Sequence, residues 1–193
     1  MIEMGKDLLR PLYRRFRETI FSLRVAYKTL ILEEDELNVK YDEAYYEDNK
    51  EKYFQDAEQF AKQIYGLFEP ETLVSLGCGN AMYLSILRDQ FDVLVQGVDG
   101  SQNAKETALI SEETFRIHDL REPLNVEEPY DLALCIEVAE HIDEEHADTL
   151  VANCVSTSNV VVFTAAQPGQ PGTDHVNLKP KRYWKEKFAS HGY

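Results

Sequence analysis

The sequence predicts an α/β fold: a doubly wound, mostly parallel sheet with a helical extension at its N-terminus. Three observations predict it. From Leu73 onward, short apolar runs alternate with helix-length segments. A glycine-rich turn follows the first run, and an acidic residue closes the second. Apolar strands separated by helices form a parallel sheet covered on both faces and joined by right-handed crossovers.

Residues 6–32 read as one amphipathic helix. Leu8, Leu9, Leu12, Tyr13, Phe16, Ile20, Phe21 and Leu23 recur at spacings of three and four between basic residues. Such a helix packs on the main domain or on a second subunit. A basic polar face also suits an anionic membrane surface or a protein partner, so residues 1–30 carry that alternative. The run Glu33-Glu34-Asp35-Glu36 reads as a linker, which divides the chain into an extension at 1–36 and a main domain at 37–193. A second helical region covers 41–68, with Tyr45, Tyr46, Tyr53, Phe54, Phe60, Ile64 and Phe68 among many charges, and Pro70 ends it. Strands are then expected at Leu73–Leu76, Val93–Val98, Tyr130–Ile136 and Val160–Thr164, with a weaker one at Thr114–Ile117. Helices are expected at Ala81–Asp89, Ser101–Leu109, Asp143–Ala152 and Lys179–Ser190.

Charge and cysteine content narrow the function classes. The 193 residues carry a formal charge of −15, split into +4 on residues 1–30 and −19 on the remainder. An acidic body repels phosphate, so no nucleic-acid partner is expected. Three cysteines without a CxxC pair argue against a disulfide framework or a zinc site, and a reducing cytoplasm is the simplest setting. No signal peptide or membrane-spanning run is visible in the sequence.

The strongest local signal is Leu73-Val74-Ser75-Leu76-Gly77-Cys78-Gly79-Asn80-Ala81, an apolar strand running into a glycine turn and a helix. Gly77 and Gly79 let the backbone turn tightly and approach a ligand with no Cβ in the way. The same turn also serves packing alone in many α/β proteins. Asp99, twenty residues after Gly79, ends the second strand, where a carboxylate commonly accepts hydrogen bonds from ribose hydroxyls. Dinucleotide binders want a third glycine near position 82, and Met82 stands there. A sulfonium cofactor with one nucleoside and an amino-acid tail fits better than a pyrophosphate.

From about Tyr45 to Tyr193 the sequence resembles the class I S-adenosylmethionine-dependent methyltransferases, whose fold is Rossmann-like. Leu73–Ala81 resembles their cofactor-binding motif, and Gly97-Val98-Asp99-Gly100-Ser101 their ribose-binding strand end. His118-Asp119-Leu120 resembles the position whose acidic residue meets the adenine amino group. The most specific match is Tyr130-Asp131-Leu132-Ala133-Leu134-Cys135-Ile136-Glu137-Val138-Ala139-Glu140-His141-Ile142, similar to the fourth-strand motif, and Val160–Ala166 is similar to the fifth strand. Ala165–Gln170, Asp174–Asn177 and Tyr183-Trp184 resemble a subgroup of small microbial and phage methyltransferases. The resemblance implies S-adenosylmethionine as cofactor, held by Gly77, Cys78, Gly79, Asp99, Gly100 and Asp119, with apolar contacts from Leu120 and Ile136.

Three departures stand out. Ser75 replaces a usual acidic residue, which could weaken cofactor binding, and Ala81 replaces a usual glycine. Class I domains also usually finish with a sixth strand, a helix and a seventh strand, whereas His191-Gly192-Tyr193 stands where the sixth strand would begin. A C-terminal truncation is the expectation.

Methyl transfer from a sulfonium is an in-line displacement that needs no metal, and no metal is expected. A hydroxyl acceptor gains from a base, and histidine suits neutral pH. His141, after the fourth strand, and His175, after the fifth, lie where such a fold places its site, although either has a structural reading too. The expected acceptor is a small molecule or a sugar- or lipid-linked hydroxyl. Two rivals accompany this reading: a non-catalytic cofactor-binding scaffold of the same fold, and an NAD(P)-dependent oxidoreductase.

Overall fold

The computed structural model describes residues 43–193 apart from Pro171, with side chains from Phe54 onward. The basic helix expected over 6–32 and the acidic linker lie outside the described residues. Among the described residues no helix is long and apolar enough to cross a membrane.

Ten helices and strands follow in chain order: α1 (Glu43–Phe68), β1 (Thr72–Leu76), α2 (Met82–Phe91), β2 (Leu94–Asp99), α3 (Gln102–Glu106), β3 (Phe115–Ile117), β4 (Leu132–Ile136), α4 (Ala147–Thr157), β5 (Val161–Thr164) and α5 (Lys181–Ser190). Short 3-10 turns occupy Glu112–Thr114, Ala139–His141 and Glu144–His146. All five expected strands form, each displaced by at most two residues from its expected start. The helix expected at Ser101–Leu109 shrinks to the five residues of α3, with the Ser101 hydroxyl accepting from the Ala104 N–H at its start. No side chain in it is fully buried and only Ala104 rests partly on the core, so packing contributes little to prolong it. The helix expected to begin at Asp143 opens as a 3-10 turn and becomes α-helical only at Ala147.

The five strands make one parallel sheet in the order β3-β2-β1-β4-β5. The chain moves outward from β1 through β2 to β3, then returns to the other side of β1 for β4. The loops after β1 and β4 therefore leave the sheet in opposite directions, and a crevice opens between them at the carboxyl ends of the strands. Thr72 and Asp131 lock the opposite, amino ends. One Asp131 carboxylate oxygen accepts from the Glu71 and Thr72 N–H groups and the Thr72 hydroxyl at 2.9–3.1 Å, and Asp131 N–H donates back to Thr72 Oγ1 at 3.0 Å.

Alternation along each strand divides the core into two layers. Leu73, Val95, Leu132 and Leu134 face α1 and α2, packing with Ala57, Ala61, Ile64, Leu84 and Leu87. Val74, Leu76, Val98, Ala133 and Cys135 face the other way, against Leu150, Val151 and Cys154 of α4 and Trp184 of α5. Strands buried on both faces explain why these segments read as continuous apolar runs rather than alternating ones.

Ala81 precedes α2 with φ 60°, ψ 31°, a left-handed geometry that costs a residue with a Cβ about 1–2 kcal/mol. Its methyl is 1% exposed within the α1–α2 layer, which returns about 0.8 kcal/mol. Burial offsets part of that cost, so an alanine is tolerated at this left-handed position.

Candidate active site

The glycine turn is built against the neighbouring loops. Gly77 N–H and Cys78 N–H both donate to Val98 O, at 2.8 and 3.2 Å, which draws the loop across the end of β2. Gly77 has φ +70°, and a Cβ there would come within 2.4 Å of a Val138 methyl. Val138 belongs to the loop after β4, so the two divergent loops touch at Gly77. Gly79 has φ +54° and nothing within 4 Å of a Cβ position. One glycine fits a closed contact, and the other faces open space.

Asp99 joins this loop to the next. Its Oδ2 accepts from Gly79 N–H at 2.8 Å and its Oδ1 from Ser101 N–H at 2.9 Å. A carboxylate has about four acceptor positions, so one lone pair remains on each oxygen after these bonds. Gly100 packs beside His118 and Asp119, 3.6 Å from His118 O at its Cβ position, and His118 N–H donates to Asp99 O at 3.0 Å. The residues expected around the nucleoside thus meet across three consecutive strand ends.

Three members of the set behave differently from the simplest expectation. Asp119 already spends its carboxylate on Arg121, through side-chain contacts of 2.6–3.0 Å and the Arg121 N–H at 3.0 Å. These bonds lower its pKa to about 2, so it is anionic at any ordinary pH. Leu120 lies buried in the α4 layer, with its carbonyl accepting from Asn153 Nδ2 at 3.0 Å. Cys78 is half-buried, and desolvation, reinforced by the Asp99 charge, pushes its thiol up to about 12. It is no nucleophile near neutrality. Ile136 is half-buried against the α1–α2 layer.

The loop after β4 forms the second pole. Glu137 holds φ +55°, a strained conformation for a residue with a Cβ, while its N–H donates to Thr164 O and Oγ1, both at 3.1 Å. The following turn carries Glu140, which is 1% exposed. Its backbone oxygen accepts from Val176 and Asn177 N–H at 2.8 and 3.1 Å, and its Oε1 from Ala166 N–H at 3.1 Å. Burial, reinforced by the Glu137 charge, raises the Glu140 pKa above the usual carboxylate value. Glu140 therefore staples the loop after β5 to the loop after β4.

That staple brings His141 and His175 together, their ring centroids 5.0 Å apart and nearly perpendicular. His141 Nδ1 lies 3.2 Å from Asp174 O, and His175 Nδ1 lies 3.2 Å from Gln170 O. A carbonyl oxygen only accepts, so each Nδ1 carries a proton, and in the neutral imidazole the lone pair is on Nε2. His118 and His146 lie apart from this pair, bonded to Glu122 O and Glu145 respectively.

Sequence reasoning named Gly77, Gly79, Asp99, His141 and His175 but gave Val138 no role and met Glu140 only as part of the fourth-strand motif. Glu140 had a signal, because a carboxylate beside a histidine directly after an apolar strand has little solvent to occupy. Val138 had none, since its contact with Gly77 exists only once β1 and β4 are neighbours. A separate cavity of about 690 Å³ lies between the β3–β4 crossover and the sheet, lined by Val74, Val98, Phe115, Leu124 and Tyr130 among others. None of the expected cofactor residues lines it.

Residues 45–192 match a family model described as a methyltransferase domain. No curated protein matches the sequence. A SAM-dependent methyltransferase from Archaeoglobus fulgidus superposes with a TM-score of 0.61 at 16% identity, covering 78% of this chain and 74% of that one. CalS10, an amino pentose methyltransferase from Micromonospora echinaspora solved with SAM, gives 0.54 at 17% identity over 72% and 62% of the two chains. The plantazolicin methyltransferase BpumL, solved with SAH, gives 0.54 at 17% identity over 77% and 67%. This chain thus spans between three fifths and three quarters of those proteins. With the match covering most of its length, and with the strand order and glycine–carboxylate pairing described above, the chain belongs to the methyltransferase-domain family, among the class I S-adenosylmethionine-dependent methyltransferases.

Proposed function

We propose that residues 37–193 transfer a methyl group from S-adenosylmethionine to a hydroxyl of a small molecule or of a sugar- or lipid-linked acceptor in the cytoplasm. The observation that carries this reading is the histidine pair. Two imidazoles with assigned tautomers stand on the loops after β4 and β5, next to the Gly77–Val138 contact. S-adenosylmethionine, when bound, supplies an electrophilic methyl group on a sulfonium. Asp99 would hold its ribose, Gly77 to Gly79 its amino-acid end, and Gly100 with Asp119 the base, with Arg121 sharing or yielding the Asp119 carboxylate. The chain's contribution to rate is then positioning, together with removal of the acceptor proton by Nε2 of His141 or His175. CalS10, which shares the fold, is an amino pentose methyltransferase, and a sugar acceptor is in keeping with that.

His141→Ala and His175→Ala test the acceptor pole. With methyl-labelled S-adenosylmethionine and a panel of hydroxyl acceptors, at least one variant should lose about a hundredfold or more in kcat. Affinity for S-adenosylhomocysteine, measured by calorimetry, should stay within about twofold. Wild-type turnover in both variants would remove the histidines from the reaction.

A further inference from the structure

The expectation of a metal-free protein overlooked what the staple between the two loops assembles. One carboxylate oxygen of Glu140 and one nitrogen from each of His141 and His175 lie within 4.8 Å of one another. We propose that these three side chains form a binding site for a divalent transition-metal ion of the zinc, cobalt, manganese and iron group.

Four observations point there. Glu140 is 1% exposed, and its Oε2 is buried with no hydrogen-bond partner. An unpaired carboxylate oxygen in the interior costs free energy that a cation recovers. Both histidines present Nε2 lone pairs, because their Nδ1–H groups are committed to Asp174 O and Gln170 O. That backbone-anchored imidazole is the arrangement which fixes tautomer and ring orientation in metal-ligating histidines. The Cε1 and Nε2 atoms of the His175 ring also lie against Gly172, where a Cβ would come within 2.3 Å of both, so a glycine holds the space this ring needs.

Two imidazoles and one carboxylate suit this group of ions better than magnesium or calcium, which prefer oxygen ligands. In a bound site, ligand atoms about 2 Å from the ion stand roughly 3–4 Å apart. His141 is exposed and His175 is half-buried on a loop, and modest rotation of the two rings supplies that closure. Three protein ligands leave coordination positions open for an acceptor oxygen. That use of the site, though not its existence, rests on the methyl-transfer reading. With the ion bound, the histidines serve as ligands, and lowering the acceptor's pKa passes to the ion.

The test uses untagged full-length protein, stripped with a chelator and titrated with Co²⁺ alone. The expected result is one Co²⁺ per chain with visible d–d bands. Binding should weaken at least about tenfold in His141→Ala and in His175→Ala, and stay unchanged in the exposed His191→Ala. Glu140→Gln keeps the acceptors that tie the two loops but places an amide N–H₂ in a buried position made for a carboxylate, so the two histidine variants, checked by circular dichroism, carry the conclusion. Absence of a single stoichiometric site, or wild-type binding in both histidine variants, overturns the proposal. S-adenosylhomocysteine titrated into the chelator-treated protein reports on the cofactor pocket separately, so failure of the ion site and failure of the cofactor reading are distinguishable.

Discussion

Gly77→Ala should destabilise the protein by about 2–5 kcal/mol and abolish cofactor binding. Two costs add. A left-handed backbone with a Cβ costs about 1–2 kcal/mol, and forcing an atom into a filled contact costs about 1–3 kcal/mol. The obstruction is a branched side chain on a neighbouring loop, Val138 at 2.4 Å, which moves only if the turn carrying Glu140 and His141 moves too. Gly79→Ala provides the contrast. Its φ is also left-handed, but its Cβ would meet nothing within 4 Å, so about 1–2 kcal/mol is the whole stability cost. Denaturant unfolding should separate the two, with Gly77→Ala markedly less stable. Titration should show Gly79→Ala folded yet weakened for S-adenosylhomocysteine, since its new methyl enters the space assigned to the cofactor. Equal stability of the two variants would mean that the Gly77–Val138 contact does not shape the crevice.

Asp99→Asn is expected to weaken S-adenosylhomocysteine binding by about a hundredfold. Hydrogen bonds to a charged group contribute about 1.5–3 kcal/mol each, and two ribose hydroxyls would lose a charged acceptor. The substitution also replaces one acceptor oxygen with an amide that donates, and that amide must face either Gly79 N–H or Ser101 N–H, now 2.8 and 2.9 Å from the carboxylate. The glycine loop therefore loosens on its inner side. Calorimetry on a folded variant measures the effect, and affinity within threefold of wild type would remove Asp99 from the ribose contact.

The sheet was legible in the sequence because its strands are buried on both faces. A run such as Leu132–Ile136 reads as a buried strand once a turn bounds it, whereas the order β3-β2-β1-β4-β5 emerges only in the structure. Helix ends were less legible. Nothing local to Ser101–Leu109 says that only small alanines there, Ala104 and Ala108, reach the core, and that thin packing leaves α3 short. The Gly77–Asp99 junction was readable because a tight turn demands glycine and the carboxylate at the end of the second apolar run stands out in the sequence, both set by local chemistry. The opposite side was half readable. His141 and His175 were found by residue type, but the loop between β5 and α5 folds back through backbone bonds to Glu140 O, 35 or more residues away in sequence. No sequence pattern marks a backbone acceptor. Leu120 illustrates the reverse: an apolar residue beside a site residue reads as a ligand contact until packing places it in the core.

The central claim is a nucleoside pocket for a sulfonium cofactor at the Gly77–Asp99 junction. Calorimetric titration of the full chain with S-adenosylhomocysteine and, separately, with NAD tests it most directly. The predicted result is one S-adenosylhomocysteine bound per chain and no heat of binding with NAD. Binding of NAD without S-adenosylhomocysteine would contradict it.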